Sequence, residues 1–227
     1  MTSTLQARIK GNIDTIQKDI DAMCDHSGAP RAASKLIAVS KVQPMNRVTA
    51  ALDAGQRVFG ENRLQEAQER WGDLKENYEG LELHLIGGLQ TNKAAKAVAL
   101  FDVIQTVDRI KLANTLAAEM EKQDRHLPVF LQVNTGKEPQ KGGVLPEGLP
   151  DLVKATTDLK LNVVGLMCIP PADDDPALHF ALLKKLAKRY GLKRLSMGMS
   201  GDFPLAAAMG ATDIRVGTAI FGERDYI

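Results

Sequence analysis

The chain has 227 residues, of which 44% are apolar and 25% are charged. This length suits a single α/β barrel, and the apolar content is sufficient for a packed core. Lysine and arginine together number 29 against 28 acidic residues, and only 4% of residues are aromatic, so neither nucleic acid nor an anionic membrane is predicted as a partner.

The cysteine and histidine pattern indicates the compartment and the absence of a metal site. Cys24 and Cys168 lie far apart, and the four histidines are scattered, so no metal-ligand spacing is present. No stretch reaches the length of a membrane span, and the N-terminus lacks the order of segments found in a signal peptide. We therefore predict a reduced, cytoplasmic protein that binds no metal.

The first predicted element is an amphipathic helix over residues 1–26. Apolar residues recur at three- and four-residue spacing from Leu5 to Met23. Gly11 weakens this helix, and the run Ser27-Gly28-Ala29-Pro30 ends it. We expect the helix to pack on the outside of the domain that follows.

Residues 36–41, Leu-Ile-Ala-Val-Ser-Lys, form a short apolar run that ends in a lysine. Because Gln43-Pro44 closes the run, it predicts a buried strand of a parallel sheet. Lys41 would then lie at the carboxyl end of the strand, the edge where parallel α/β folds carry their sites. A half-buried lysine there loses its proton readily and can form a Schiff base with an aldehyde. A solvated lysine that opens a loop is the alternative.

From this strand onward, strand and helix patterns alternate. The predicted strands are residues 36–41, 57–61, 81–87, 103–107, 128–134, 163–169, 195–200 and 214–217. The predicted helices between them are residues 44–54, 62–76, 91–100, 108–123, 149–157, 176–190 and 203–209.

This alternation predicts an α/β fold with a parallel sheet, and eight strands match a single (β/α)8 TIM barrel with an extra N-terminal helix. A doubly wound open sheet is the alternative, but no Gly-x-Gly-x-x-Gly sequence follows the first strand. Because no linker or composition shift divides the chain, we predict one domain over residues 1–227.

The last two strand-to-loop junctions are rich in small residues. They read SMGMSGD at residues 196–202 and RVGTAIFG at residues 215–222. TIM barrels commonly bind phosphate through backbone N–H groups in the loops after strands seven and eight. Gly201 and Gly217 would let an anion approach the backbone, and Ser200 and Thr218 add hydroxyl donors. Tight turns are the alternative use of these glycines.

Three other residues could carry chemistry. Arg215 lies in an apolar strand and needs an acceptor, either Asp213 in a salt bridge at the barrel bottom or a ligand. Cys168 has no basic neighbour in sequence and is predicted to be an inert buried thiol. His84 is predicted to be a core histidine with satisfied hydrogen bonds. A lysine opposite a phosphate cradle suits pyridoxal 5′-phosphate (PLP).

Six motifs in order carry a family resemblance. They are AVSK at 38–41, FGEN at 59–62, HLIGGLQTNK at 84–93, GLM at 165–167, MGMSGD at 197–202 and RVGTAIFG at 215–222. Together they resemble the pyridoxal phosphate homeostasis protein family, relatives of the alanine racemase barrel, over residue 36 to the C-terminus. Gly88 and Gly142 depart from the residues usual in this family, and the second leaves the loop 135–145 without an assigned role.

The resemblance implies PLP as the cofactor and a role for each residue of the site. Lys41 would be the Schiff-base lysine, and Arg215 would face the pyridine nitrogen. The phosphate would lie on Ser200, Gly217 and Thr218, with Gly201 beside them in the same motif. Around the ring the resemblance implies Asn62, Gly87 and Met167.

The resemblance also implies a function, a protein that holds PLP as a reversible Schiff base and stores or transfers it without turnover. Apo forms of PLP-dependent enzymes are the predicted recipients. A PLP-dependent amino-acid racemase is the alternative. A third class, an aldolase that uses a Schiff-base lysine without cofactor, leaves the two phosphate loops and Arg215 unexplained.

Two features favour the carrier over the racemase. Arg215 at the ring nitrogen would keep that nitrogen unprotonated and make the ring a weaker electron sink. Racemisation also needs a second acid/base group on the opposite face of the substrate, which racemase relatives take from a tyrosine with help from a second domain. Tyr78, Tyr190 and Tyr226 do not lie at predicted strand ends. Because no second domain is evident, we also predict a monomer.

Overall fold

The strands form a closed parallel barrel in the computed structural model, which describes residues 2–28, 34–72 and 74–223. Neighbouring strands pair in sequence order, and β1 pairs with β8 to close the ring. The strands are β1 Lys35–Val39, β2 Val58–Glu61, β3 Glu82–Leu85, β4 Val103–Val107, β5 Val129–Gln132, β6 Val163–Met167, β7 Arg194–Ser196 and β8 Asp213–Val216. The predicted (β/α)8 TIM barrel is confirmed, and the doubly wound sheet is excluded.

Helices surround the barrel. They are α1 Thr2–Ser27, α2 Met45–Asp53, α3 Leu64–Trp71, α4 Leu74–Asn77, α5 Ala94–Leu100, α6 Ile110–Lys122, α7 Leu149–Asp158, α8 Pro176–Arg189, α9 Phe203–Ala208 and α10 Thr218–Phe221, with a 3₁₀ turn at Thr91–Lys93. The single helix predicted over 62–76 is wrong, because α3 ends before Gly72 and a separate short helix follows. The short helix α10 was not predicted, because four residues show no periodicity.

The N-terminal helix α1 packs against α2, α9 and α10. Its apolar stripe, which includes Ile9, Ile16 and Ile20, is buried in the main core. The side chain of Asn12 also donates to the backbone oxygen of Ile220 at 2.8 Å. Of the predicted stop sequence, Ser27 is the last helical residue and Gly28 has φ 71°, whereas Ala29 and Pro30 lie outside the described residues.

Successive residues of a strand point to opposite faces of the barrel wall. The apolar strand residues therefore form two layers, one under the helices and one inside the barrel. Val129 and Leu131 of β5 belong to the large core beneath the helices. Phe130 between them packs instead with Val103 and Met167 in a smaller cluster, which places these three side chains in the barrel lumen. Among the described residues, no helix is both long and apolar enough to cross a membrane.

Candidate functional site

Lys41 lies in a turn that follows β1. The strand ends at Val39, so the strand end predicted at Lys41 is two residues too late. Gln43 N donates to Ser40 O at 3.1 Å and closes the turn. Val42 has φ 59°, a left-handed conformation that is costly for a β-branched residue, so surrounding contacts must hold it.

Arg70 of α3 supplies those contacts. Its Nη2 donates to Gln43 O at 2.8 Å, and its Nη1 donates to Ser40 O and, at 2.7 Å, to Glu61 Oε1. The Glu61 carboxylate is fully buried and also accepts from Ser40 Oγ at 2.7 Å and Trp71 Nε1 at 3.1 Å. The turn that carries Lys41 is therefore fastened to β2 and α3.

The roles of Glu61 and Arg70 were not predicted from the sequence. One signal was available, because Glu61 stands at the end of an apolar strand pattern, and a carboxylate buried there must have a partner. The partner could not be identified from the sequence. Arg70 lies on the polar face of the predicted helix, and nothing in the helix pattern indicates that its side chain contacts the preceding strand.

A cavity of about 240 Å³ opens beside the Lys41 turn. Val39, Lys41 and Gln43 line it on one side. The loops after β7 and β8 line the other side with Met199, Ser200, Gly201, Gly217 and Thr218. The structure therefore brings Lys41 together with both of the small-residue loops.

Glycine is required in the loop after β7. Gly198 has φ 91°, and a Cβ atom there would lie 2.5 Å from Ala206 Cβ. The loop then turns through a hydrogen bond from Phe203 N to Met199 O at 2.8 Å. No heavy atom lies within 4 Å of the Cβ position of Gly201, so its backbone is open to the cavity side.

These loops leave a set of unused hydrogen-bond donors. Within residues 2–28, 34–72 and 74–223, the N–H groups of Ser200, Gly201, Gly217 and Thr218 donate to no protein acceptor, and neither do the two hydroxyl groups. Clustered N–H groups of this kind bind anions, and a lysine on the far side adds positive charge. The donor set therefore fits a phosphate group with an electrophile placed toward Lys41.

Arg215 lies in β8, two residues before Gly217, and is buried in the lumen. Its Nη1 donates to Ser196 Oγ at 2.5 Å and its Nη2 to Cys168 O at 2.8 Å. No ion pair joins Arg215 to Asp213 in the described part of the chain, so the first of the two alternatives for Arg215, a salt bridge to Asp213, does not hold.

The Asp213 carboxylate has other partners. It accepts from Arg194 Nε at 3.1 Å and from Thr212 Oγ1 at 2.6 Å. Burial lowers the pKa of the Arg215 guanidinium, and electrostatic interactions with Cys168, Asp202 and Asp213 act in the opposite direction.

Besides Arg215, three other predicted site residues do not line the Lys41 cavity. Asn62 follows β2 and lines a second cavity of about 330 Å³, together with Leu85 and Lys93. A Cβ atom on Gly87 would lie 2.1 Å from Asn62 O, so Gly87 is required for the two loops to pack. Met167, the last residue of β6, is fully buried in the lumen cluster.

The remaining chemical candidates are accounted for within the protein. Cys168 is buried, as predicted, and burial raises the pKa of its thiol to about 12, which disfavours the reactive thiolate. His84 is satisfied at both ring nitrogens, by Glu82 at 2.6 Å and Gln105 at 2.7 Å, as predicted. No group of three or more His, Cys, Asp or Glu side chains suited to a metal ion occurs among the residues that the structure describes.

Asn134, at the end of the predicted fifth strand, organises the loop that follows. Its Nδ2 donates to Glu138 O at 2.8 Å and to Lys141 O at 3.3 Å.

Tyr78 and Tyr190 line neither of the two cavities, and Tyr226 lies outside the described residues.

Residues 11–225 match the family model of the alanine racemase N-terminal domain. The pyridoxal phosphate homeostasis protein of Vibrio cholerae is 40% identical, over 96% of this chain and 97% of that protein. The corresponding protein of Pseudomonas aeruginosa is 41% identical, over 96% of each chain. The chain belongs to the pyridoxal phosphate homeostasis protein family. The resemblance inferred from the six motifs is thereby confirmed.

Solved structures agree with this family assignment. PipY of Synechococcus elongatus without PLP has a TM-score of 0.81 and 38% identity, over 91% of this chain and all of PipY. The structure of PipY with PLP bound has a TM-score of 0.73. Alanine racemase from Bartonella henselae has a TM-score of 0.73 but only 16% identity, over 96% of this chain and 59% of the racemase, so it shares the fold alone.

Proposed function

We propose that this protein holds PLP covalently and reversibly on Lys41, and stores or transfers it as part of PLP homeostasis. The observation that carries the proposal is the cavity that Lys41 shares with Ser200, Gly201, Gly217 and Thr218, whose four N–H groups and two hydroxyl groups donate to no acceptor among the described residues. Bound PLP would supply an aldehyde carbon, with which an amine condenses to a Schiff base with loss of one water. PipY, 38% identical, has been solved with PLP bound.

Five residues of the cavity have a part in this proposal. Ser200, Gly201, Gly217 and Thr218 hold the phosphate through their N–H and hydroxyl groups, and Lys41 supplies the amine. The Arg70 contacts hold the backbone of the Lys41 turn against β2 and α3.

Arg215, Asn62, Gly87 and Met167 are proposed to surround the ring. All four belong to the carboxyl-end half of their strands or follow directly after, on the same face of the barrel as Lys41. The Arg215 guanidinium donates and cannot accept, so it favours an unprotonated ring nitrogen.

The proposed protein is a carrier and not an enzyme. Its relatives are named homeostasis proteins, whereas the racemases share only the fold. A guanidinium at the ring nitrogen weakens carbanion stabilisation, and neither Tyr78 nor Tyr190 lines the Lys41 cavity. Both features support storage over racemisation.

Transfer to apo forms of PLP-dependent enzymes is part of the proposal. The described residues include six exposed large hydrophobic side chains, and all of them follow a strand's carboxyl end or open the next helix: Val42, Met45, Ile110, Leu145, Leu178 and Met199. A recipient that approaches the cavity would therefore meet apolar side chains on that face. A cytoplasmic monomer, folded as one domain with α1 on the barrel, completes the proposal.

The first test is chemical. We expect the purified protein to absorb visible light as bound PLP, and borohydride followed by peptide mass spectrometry to locate a reduced adduct on Lys41. Lys41→Ala should lose both signals. Lys93→Ala is the matched control, because Lys93 lines the neighbouring cavity and should leave the adduct unchanged. A reduced adduct on another lysine of the Lys41→Ala protein would refute the assignment.

A further inference from the structure

A chain of hydrogen bonds runs through the barrel lumen behind Arg215. Arg215 Nη1 donates to Ser196 Oγ at 2.5 Å, and Ser196 Oγ donates to Gln105 Oε1 at 2.6 Å. Gln105 Nε2 lies 2.7 Å from His84 Nδ1. Ser196, Gln105 and His84 are completely buried. Four strands, β8, β7, β4 and β3, thus each contribute one side chain.

The chain ends on a carboxylate at the opposite end of the barrel. His84 Nε2 lies 2.6 Å from Glu82 Oε1, and Lys35 Nζ contacts both oxygens of Glu82 at 2.8 and 2.7 Å. Glu82 and Lys35 open strands β3 and β1. Their side chains are 29% and 36% exposed, so this end of the chain reaches solvent.

The chemistry of the groups fixes the direction of every bond. A carboxylate only accepts, so His84 Nε2 donates to Glu82, and an amide nitrogen only donates, so His84 Nδ1 accepts. The amide nitrogen of Gln105 must then donate to His84, while its oxygen accepts from Ser196. All donors therefore run one way, from the Arg215 guanidinium to the Glu82 carboxylate, and bonds aligned in this way polarise one another.

We propose that Ser196, Gln105 and His84 are positioning residues for Arg215, anchored by Glu82. A buried guanidinium without an ion-pair partner is costly, and the aligned hydrogen bonds, polarised by the Glu82 carboxylate, make Ser196 Oγ a better acceptor for it. The chain also fixes the plane of the guanidinium, which directs its remaining N–H groups. Their proposed acceptor is the ring nitrogen of PLP, so this part of the inference rests on the proposed function.

The composition of the lumen supports a role beyond packing. Lumens of TIM barrels are filled mainly by bulky branched apolar residues, and these need no hydrogen-bond partners. In this protein the middle of the lumen holds Ser196, Gln105 and His84. Burying these polar side chains costs folding free energy unless every hydrogen-bond partner is present. Apolar side chains would fill the same space but would leave Arg215 with Cys168 O as its one acceptor among those described.

The test replaces Gln105 by methionine, which has a similar volume but breaks the chain at its centre. The matched control is Gln132→Met, on the next strand, since Gln132 donates to Gly142 O and takes no part in the chain. The other groups that act on Arg215 are Cys168, Asp202 and Asp213, and neither substitution changes them.

Three quantities are measured on each variant. In the PLP-loaded protein, the pH midpoint for protonation of the ring nitrogen, followed by absorption, should rise by about one unit in Gln105→Met, because a held donor favours the unprotonated nitrogen. The dissociation constant for PLP should rise roughly tenfold. In protein without PLP, hydrogen exchange of the Arg215 guanidinium, followed by ¹⁵N NMR, should be at least about tenfold faster.

The outcomes separate the two proposals. If the wild-type protein forms no adduct with PLP, the proposed function fails, and the exchange measurement still tests the lumen chain. Equal exchange rates and equal pH midpoints in wild type and Gln105→Met would overturn the proposed positioning role of the hydrogen-bond chain. Should Gln105→Met fail to fold, Glu82→Gln at the partly exposed end gives the same comparison, with smaller shifts in the same direction expected.

Discussion

At the scale of single residues, the proposed phosphate site can be tested through the hydroxyl groups of Ser200 and Thr218. We expect Ser200→Ala and Thr218→Val each to weaken PLP binding by about 1–2 kcal/mol, roughly tenfold, because each removes one hydrogen bond to a charged group. Absorption titrations would measure the dissociation constants. Thr115→Val is the control, since its hydroxyl donates to Lys111 O on the exposed side of α6.

The same titrations with pyridoxal, which lacks the phosphate, complete this test. Pyridoxal should bind far more weakly than PLP to the wild-type protein, and neither Ser200→Ala nor Thr218→Val should weaken it further. Equal affinity for pyridoxal and PLP would mean that the loops after β7 and β8 do not hold a phosphate.

Glu82 makes a second prediction at this scale, because its interactions depend on pH. The hydrogen bond from His84, with further help from Lys35, lowers the pKa of Glu82 from 4.5 to about 2. A carboxylate with a depressed pKa stabilises the fold fully above its unfolded pKa and loses this contribution as the pH falls through the folded value. The stabilisation is therefore present above about pH 5 and is lost between about pH 4.5 and pH 2.

Urea unfolding of Glu82→Gln at several pH values measures this contribution. The difference in free energy of unfolding between wild type and variant should be largest near neutral pH and should shrink toward pH 2. Glu147→Gln is the control, because Glu147 pairs with Lys137 at an exposed position where solvent screens the interaction. A difference that stays constant with pH would contradict a link between the Glu82 charge and stability.

At the scale of elements, α3 holds the β1–α2 turn through one side chain. Arg70→Met removes the donors to Ser40 O and Gln43 O and leaves the buried Glu61 carboxylate without a cation. We expect a loss of about 3 kcal/mol in the free energy of unfolding, since breaking a buried pair strands a charge. PLP binding should weaken as well, because Lys41 and the strained Val42 lie in the released turn.

Arg63→Met is the matched control for Arg70→Met. Arg63 precedes the same helix and pairs with Glu66, but its side chain is 78% exposed, so its loss should cost less than about 1 kcal/mol. Urea unfolding and PLP titration of both variants give the comparison. Equal effects of the two substitutions would show that the turn does not depend on Arg70.

The elements were largely predictable from the sequence because strands and helices carry periodic apolar patterns. The ends of the strands were less predictable, because a strand ends where its hydrogen bonds to the neighbouring strands end. The pairing of β1 with β2 stops at Val39 and its pairing with β8 stops at Ala38, although the run of apolar and small residues continues to Ser40. Short helices such as α4 and α10 have too few residues for a period to be read.

At the scale of the whole molecule, the site residues that could be predicted are those that lie in short contiguous sequence motifs. Lys41 and the two small-residue loops each follow directly from a predicted strand, and barrel geometry alone places them on one face. The lumen chain was not predictable, because His84, Gln105, Ser196 and Arg215 come from four strands. Only closure of the barrel and the register of each strand bring these side chains within hydrogen-bond distance.

The whole molecule also makes a prediction about catalysis. A racemase needs a good electron sink and a second acid/base group opposite the Schiff-base lysine. Here a guanidinium is proposed at the ring nitrogen, and Tyr78 and Tyr190 lie away from the Lys41 cavity in the described structure. We therefore expect PLP-loaded protein in deuterium oxide to exchange the α-proton of amino acids no faster than free PLP does.

Proton NMR of L-alanine and D-alanine, with the protein at stoichiometric concentration, measures this exchange together with interconversion of the two enantiomers. The alanine racemase of Bartonella henselae, which shares the fold but is 16% identical, is the positive control under the same conditions. Arg215→Glu is the informative variant, because a carboxylate at that position would favour a protonated ring nitrogen and strengthen the electron sink. A rise in exchange in this variant alone would support Arg215 as the residue that keeps the bound cofactor unreactive. Exchange by the wild-type protein well above that of free PLP would instead restore the racemase.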